Sequence, residues 1–256
     1  MQLNFKMFGS PLHAPVVILH GMFGTLDNWQ TVARMLAERY CVYILDLRNH
    51  GRSPHSAEFG YAVMAQDIIE FIEEQALGAV HLVGHSMGGK VAMQVAFSRA
   101  DLLESLVVVD IAPKTYTGHH ESVFEAMFAV DVDKLQSRQE AEAILDGFPA
   151  LDWSTKQFIL KNLTISKHTQ RYEWRMNLPV IHAHYEEILG FEPPAKPYAG
   201  HTLFVRGAQS KYIEPQEWAA YVQFFPQAHL VEIADAGHWV HADQPQAFVD
   251  ALTDFI

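Results

Sequence analysis

The sequence is poor in cysteine, in basic residues and in long apolar runs, and each shortage excludes something. With one cysteine, Cys41, in 256 residues the chain can close no internal disulfide, which fits a reducing compartment. Cys41 lies inside the apolar run "CVYILDL" and reads as a buried core thiol rather than a nucleophile. Lys and Arg number 18 against 30 Asp and Glu, a formal charge of −12. Nucleic acid is therefore not the expected partner, because phosphate binding needs a basic field. No run of 18 apolar residues occurs, and the start "MQLNFKMFG" is too short and too weakly basic for a secretory signal. A cytoplasmic protein without a membrane partner is expected, either monomer or homo-oligomer.

What is present is alternation. The runs 16–21, 41–47, 80–85, 105–112, 202–207 and 229–235 are rich in Val, Ile and Leu, as strands buried on both faces of a parallel sheet are. Residues 27–39, 61–76, 87–99, 214–224 and 245–256 show helical spacing, with Asp27 and Glu214-Pro215 as candidate helix starts. "LNFKMF" near the N-terminus is expected to add an edge strand. The pattern predicts an α/β fold with a mostly parallel sheet and flanking helices. From 113 to 200 no buried strand is evident, and a structureless loop of that length is implausible in a compact domain. That segment is expected to be a helical lid inserted between two strands, with "PPAKPYAG" as the return linker. The core domain is then 1–112 with 201–256.

The chemistry concentrates at "LVGHSMGGKV". G-x-S-x-G here follows a strand and opens a helix, the context of a nucleophile elbow. Ser86 is the expected nucleophile, with Gly84 and Gly88 allowing strand and helix to meet at a sharp angle. A serine hydroxyl needs a base. Among 15 histidines, His238 in "AGHWVHADQP" is the best placed, with His241 as the alternative. His20, His50 and His85 read as bracing residues. The pairs His119/His120 and His182/His184 lack the i, i+4 spacing of a metal site, and neither metal nor organic cofactor is expected. "ILHGMFG" offers a second oxyanion donor, so the amides of Met22 and Met87 are assigned that role, with Phe23 as substitute for Met22. Phe23 and Trp239 are candidate substrate contacts, with Met22 and Met87, while Phe124, Phe128, Trp153 and Tyr185 from the lid fit either an acyl pocket or ordinary core packing. "DLRNHGRS" (46–53) reads as a structural loop. The cations between Trp153 and Tyr185 fit either solvated helix faces or a site for anionic substrate groups.

Together "HGMFG", "DLRNHGRS", "GHSMGG", "DIAP" and "GHWVHADQP" resemble the α/β-hydrolase superfamily, over nearly the whole chain. They look closest to the small bacterial esterases of the YbfF-like branch. The resemblance implies an eight-strand-type core, a helical lid, and hydrolysis of acyl esters or thioesters through an acyl-enzyme. In most of that superfamily an aspartate follows the strand after the lid, but here Ser210 stands at that place and the nearest carboxylate is Glu214. Some members place the acid at the end of the strand before the lid, where this chain has Asp110. Asp110 is the preferred partner for His238 and Glu214 the alternative, with Ser210 in the same network. The expected activity is that of a serine esterase hydrolysing small-molecule esters of short to medium acyl chains through an acyl-enzyme, the alternatives being an acyl-CoA thioesterase, a C–C bond hydrolase, a cofactor-free peroxidase or a non-catalytic receptor of the same fold.

Overall fold

The continuous apolar runs become neighbours in one sheet in a computed structural model, which describes residues 1–118 and 120–256. The sheet orders β1 (Phe5–Phe8), β3 (Cys41–Leu45), β2 (Pro15–Leu19), β4 (Val80–His85), β5 (Leu103–Val109), β8 (Thr202–Gly207) and β9 (Ala228–Ile233). All neighbours run parallel except β1, which pairs antiparallel with β3. Among the described residues this is seven strands, one fewer than the eight-strand-type core the resemblance implies. The strand "FKMF" itself is the edge, and its alternately exposed and half-buried residues fit that position.

Side chains alternate across the inner strands because the strand repeat is two residues. Val16, Ile18, Val42 and Ile44 face one helical layer; Val17, Leu19, Tyr43 and Leu45 face the other. The first layer contains α1 (Gln30–Leu36) and α11 (Pro245–Thr253), packing Leu36, Phe248 and Leu252 on the sheet. The second contains α2 (Tyr61–Glu74) and α3 (Met87–Ser98), with Met64, Ile68, Val91 and Val95 buried. Each fully buried aliphatic side chain contributes about 1.5–3 kcal/mol, so these two layers hold the sheet on both sides. The helix expected to start at Asp27 is capped instead at Thr25, whose N–H donates to Asn28 Oδ1 (2.7 Å) ahead of a 3₁₀ turn at Leu26–Trp29. Asp27 is free for ion pairs with Lys6 (2.8 Å) and Arg175 (3.4 Å).

The chain between β5 and β8 carries α4 (Glu121–Ala129), α5 (Arg138–Asp146), α6 (Trp153–Leu160), α7 (Leu178–Ala183) and α8 (Tyr185–Leu189). It is not wholly helical, which corrects the expectation. β6 (Leu163–Ile165) pairs antiparallel with β7 (Tyr172–Trp174) in a separate hairpin. Three-residue strands are too short to register as an apolar run, although Thr164, Ile165, Tyr172 and Trp174 all favour extended backbone. The insertion is tied to the sheet end by Asn162, whose Nδ2 donates to the Phe23 carbonyl (2.7 Å), and by the Asn177 N–H on the Asn49 carbonyl (2.8 Å). After β8, the expected helix 214–224 shortens to a 3₁₀ turn at Pro215–Glu217 and α9 (Trp218–Tyr221). α10 (Val240–Asp243) precedes α11. No helix among the described residues is long and apolar enough to cross a membrane.

Candidate active site

Three non-glycine residues with positive φ gather where β2, β4 and β5 end: Phe23 (61°), Ser86 (54°) and Asp110 (51°). Such backbone costs about 1–3 kcal/mol per residue and persists only where packing imposes it. At Ser86 the cause is visible. β4 runs into α3 with no spacer, and the Ser86 carbonyl already accepts from the Gly89 N–H (2.8 Å) and Lys90 N–H (3.2 Å). A Cβ on Gly84 would lie 2.2 Å from the Gly88 carbonyl oxygen, and one on Gly88 2.5 Å from that of His20. Neither position admits a side chain, as the G-x-S-x-G pattern predicts. Ser86 is half-buried and lines a cleft of about 360 Å³, counting the part open to solvent.

Asp110 is fully buried, and its carboxylate is fully engaged. Oδ1 accepts the Gly207 N–H (3.1 Å), while Oδ2 accepts both the Ser210 hydroxyl and the His238 Nδ1–H, the latter at 2.7 Å. A bond from Nδ1–H leaves Nε2 of a neutral imidazole as an acceptor. Tyr212, which also lines the cleft, stacks on His238 with ring centroids 4.0 Å apart. Asp110, Ser210 and His238 are thus brought together, and Glu214 is not. Its side chain is 43% exposed, and among the described residues it accepts from Gln216 (2.5 Å) and lies 3.9 Å from Lys114.

His241, the alternative base, is buried against Trp29 in a stack of 3.9 Å. Burial pushes its pKa down to about 3, and no described hydrogen bond joins the ring to Asp110. His85 donates its Nε2–H to the His238 carbonyl (2.8 Å) and so props the loop that carries His238. His20 donates Nδ1–H to the Gly21 carbonyl (2.8 Å) and accepts the Leu47 N–H on Nε2 (3.0 Å). Burial lowers its pKa to about 4, so the ring is neutral at pH 7 and braces "HGMFG" as the sequence predicts. In "DLRNHGRS" Asp46 accepts the Leu26 N–H (2.8 Å) and Arg52 N–H (2.9 Å), and Arg48 grips Asp67 at 2.6 and 2.8 Å. These contacts hold a loop, again as predicted.

Gly21 abuts the elbow: a Cβ there would lie 3.0 Å from Ser86 Cβ. The Met22 side chain lines the cleft with Ser86 and Met87, and the backbone N–H groups of Met22 and Met87 donate to no described acceptor. Phe23 points elsewhere, buried edge-to-face against Phe124 (5.2 Å), and Trp239 packs on Phe158 (5.3 Å). Both are contacts to the insertion. Of the other insertion aromatics Tyr185 lines the cleft, Phe124 packs against it, and Phe128 and Trp153 are exposed. His119 lies outside the described residues. His120 bonds the Tyr185 hydroxyl (2.8 Å), His182 packs on Phe124 (4.8 Å) and His184 on Glu187 (3.0 Å). The basic stretch is partly neutralised within the chain, Lys156 by Asp146 (3.1 Å) and Arg175 by Asp27.

Sequence reasoning missed Tyr61, Tyr116, Tyr212 and Lys90. The last carries a legible signal, a lone cation in the otherwise apolar helix "MGGKVAMQVAF", four residues after Ser86. Residues 16–251 match the profile of the alpha/beta hydrolase family. The sn-1-specific diacylglycerol lipase ABHD11 of Mus musculus is 39% identical over 264 residues, covering 100% of this chain and 85% of that protein. Esterase YbfF of Escherichia coli is 37% identical over 246 residues, 95% of this chain and 93% of its own. A solved marine microorganism esterase superposes with a TM-score of 0.95 at 35% identity, covering 100% and 99% of the two chains.

Proposed function

The chain belongs to the alpha/beta hydrolase family and is a carboxylic ester hydrolase, and from that premise we propose a serine esterase acting on short to medium acyl esters through an acyl-enzyme. The observation that carries the reading is the bond from His238 Nδ1–H to the buried Asp110 carboxylate, beside the strained elbow that presents Ser86 to a cleft. In this reading Ser86 Oγ attacks the acyl carbonyl carbon as His238 Nε2 takes its proton. The carbonyl π electrons move to oxygen, and the amides of Met22 and Met87 receive the oxyanion; a lost donor of this kind costs about 10²–10³ in rate. Asp110 holds the tautomer and stabilises the imidazolium. Collapse of the tetrahedral species breaks the C–O bond to the alcohol, which leaves with the proton from His238. Water, deprotonated by the same nitrogen, then attacks the acyl-serine and releases the acid, regenerating Ser86. The insertion acts as the lid, excluding water from the cleft.

An acyl-CoA thioesterase would need cations for the CoA phosphates, and in the basic stretch 156–175 the internal pairing of Lys156 and Arg175 leaves less charge for them. The test is fluorophosphonate labelling and turnover of short p-nitrophenyl esters by the full chain and its Ser86→Ala variant, with folding checked by circular dichroism. Loss of both label and turnover is expected. A folded Ser86→Ala protein that still labels and turns over removes the mechanism.

A further inference from the structure

The buried cations of the core have carboxylate partners, with one exception. Arg48 faces Asp67 at 2.6 Å and Arg206 faces Glu232 at 2.7 Å. Lys90, 4% exposed, has no carboxylate within ion-pair distance among the described residues. Its Nζ donates to the Leu189 carbonyl (2.9 Å) and the Gly190 carbonyl (2.6 Å) at the end of α8. It also lies 5.0 Å from the Tyr116 ring centre and 5.6 Å from that of Tyr61. An ammonium has three donors, so one N–H is left without a described partner. Burial without a counter-charge lowers the pKa of this amine to about 7.

Lys90 lines the same cleft as Ser86. It sits one helical turn further along α3, an axial rise of about 6 Å. Ile111, Ile188 and Leu189 give the cleft apolar wall, and tyrosines and His120 complete the lining. The two tyrosine hydroxyls nearby are already committed as donors, Tyr61 to the Ile188 carbonyl (2.5 Å) and Tyr116 to the Tyr212 carbonyl (2.6 Å). The cleft therefore has the serine at one point, a methylene-compatible wall, and an unneutralised cation. We propose that this cleft selects acyl groups ending in a carboxylate, the hemiesters of short dicarboxylic acids, with Lys90 as the anchor for the distal carboxylate. The inference rests on the ester-hydrolase reading above. The carboxylate takes the third N–H and supplies the missing counter-ion, and acyl chains of about four to six carbons bracket the reach between a serine and a lysine one helical turn apart.

The experiment compares kcat/KM, read by acid release near pH 6.5, for monoethyl succinate, glutarate and adipate with ethyl butanoate, pentanoate and hexanoate. For at least one length the hemiester is expected to exceed its neutral counterpart by about 10-fold or more, the usual worth of a charge-assisted bond. In Lys90→Met that ratio is expected to fall below one, and in Lys90→Arg to stay above it. Wild-type protein alone decides the matter if either variant fails to fold. Neutral esters hydrolysed as fast as hemiesters at every length would reduce Lys90 to a pin for α8 and overturn the inference. If no ethyl ester of either kind is hydrolysed, the ester-hydrolase reading itself falls.

Discussion

Replacing Asp110 by Asn removes one charge and no volume, and the Gly207 amide decides how the new side chain sits. That N–H must meet an acceptor, so the carboxamide turns its oxygen to the Oδ1 position and its NH₂ to the Oδ2 position. The NH₂ then faces the Ser210 hydroxyl, which can rotate to accept, and His238 Nδ1, which can accept only by surrendering its proton. The imidazole moves its hydrogen to Nε2, the atom that in the proposed mechanism receives the proton of Ser86. Restoring the useful tautomer sets N–H against N–H in a buried site, at a cost of about 1–3 kcal/mol for the lost bond. Loss of the carboxylate that stabilises the imidazolium adds about as much again. The sum, about 2–6 kcal/mol, corresponds to a fall in kcat of about 30-fold to 10⁴-fold, since 1.4 kcal/mol is tenfold. Steady-state turnover of p-nitrophenyl butyrate by folded Asp110→Asn measures it, and Glu214→Gln, whose side chain faces Lys114 and solvent, should remain within about twofold of wild type. An active Asp110→Asn protein beside a dead Glu214→Gln one would refute the assignment of the acid.

Acid should weaken the fold through His20, His50 and His241, whose pKa values burial lowers to about 4, 3 and 3. Because the unfolded chain binds these protons near pH 6.5, stability is present above that value and falls as pH drops from 7.5 to 5.5. The loss is about 1.4 kcal/mol per histidine, or about 4 kcal/mol together; urea unfolding at the two pH values checks it, and a loss under about 1 kcal/mol contradicts it. Gly51→Ala should cost about 2 kcal/mol or more, since φ is +60° and a Cβ would lie 2.1 Å from Asp46 Cγ. A denaturation midpoint equal to wild type would show that the loop yields. Arg48→Met should lower stability by about 1–3 kcal/mol, because buried Asp67 loses its guanidinium partner and keeps only the N-terminal amine at 3.2 Å, while kcat per folded molecule changes little. A loss confined to kcat would mean instead that "DLRNHGRS" serves the chemistry.

Much of this molecule is local and therefore legible in order along the chain. The Val, Ile and Leu runs need burial on both faces, so the parallel sheet follows from composition and spacing. The elbow follows from Gly84 and Gly88 flanking Ser86, because only glycine permits the approach of strand end to helix start. The short hairpin at 163–174 escaped, because three-residue strands carry too little periodicity. Which carboxylate bonds to the His238 ring was open in one dimension, with Asp110 at a strand end and Glu214 in a loop that could both reach it. Tertiary structure decided it: the parallel register of β5 and β8, with Val109 opposite Val205, brings Asp110 beside Gly207 and beneath the His238 loop. Lys90 shows the same division. Its place one turn beyond Ser86 is written in the sequence, but its isolation from every described carboxylate depends on which side chains the fold packs around it, and no spacing along the chain records that.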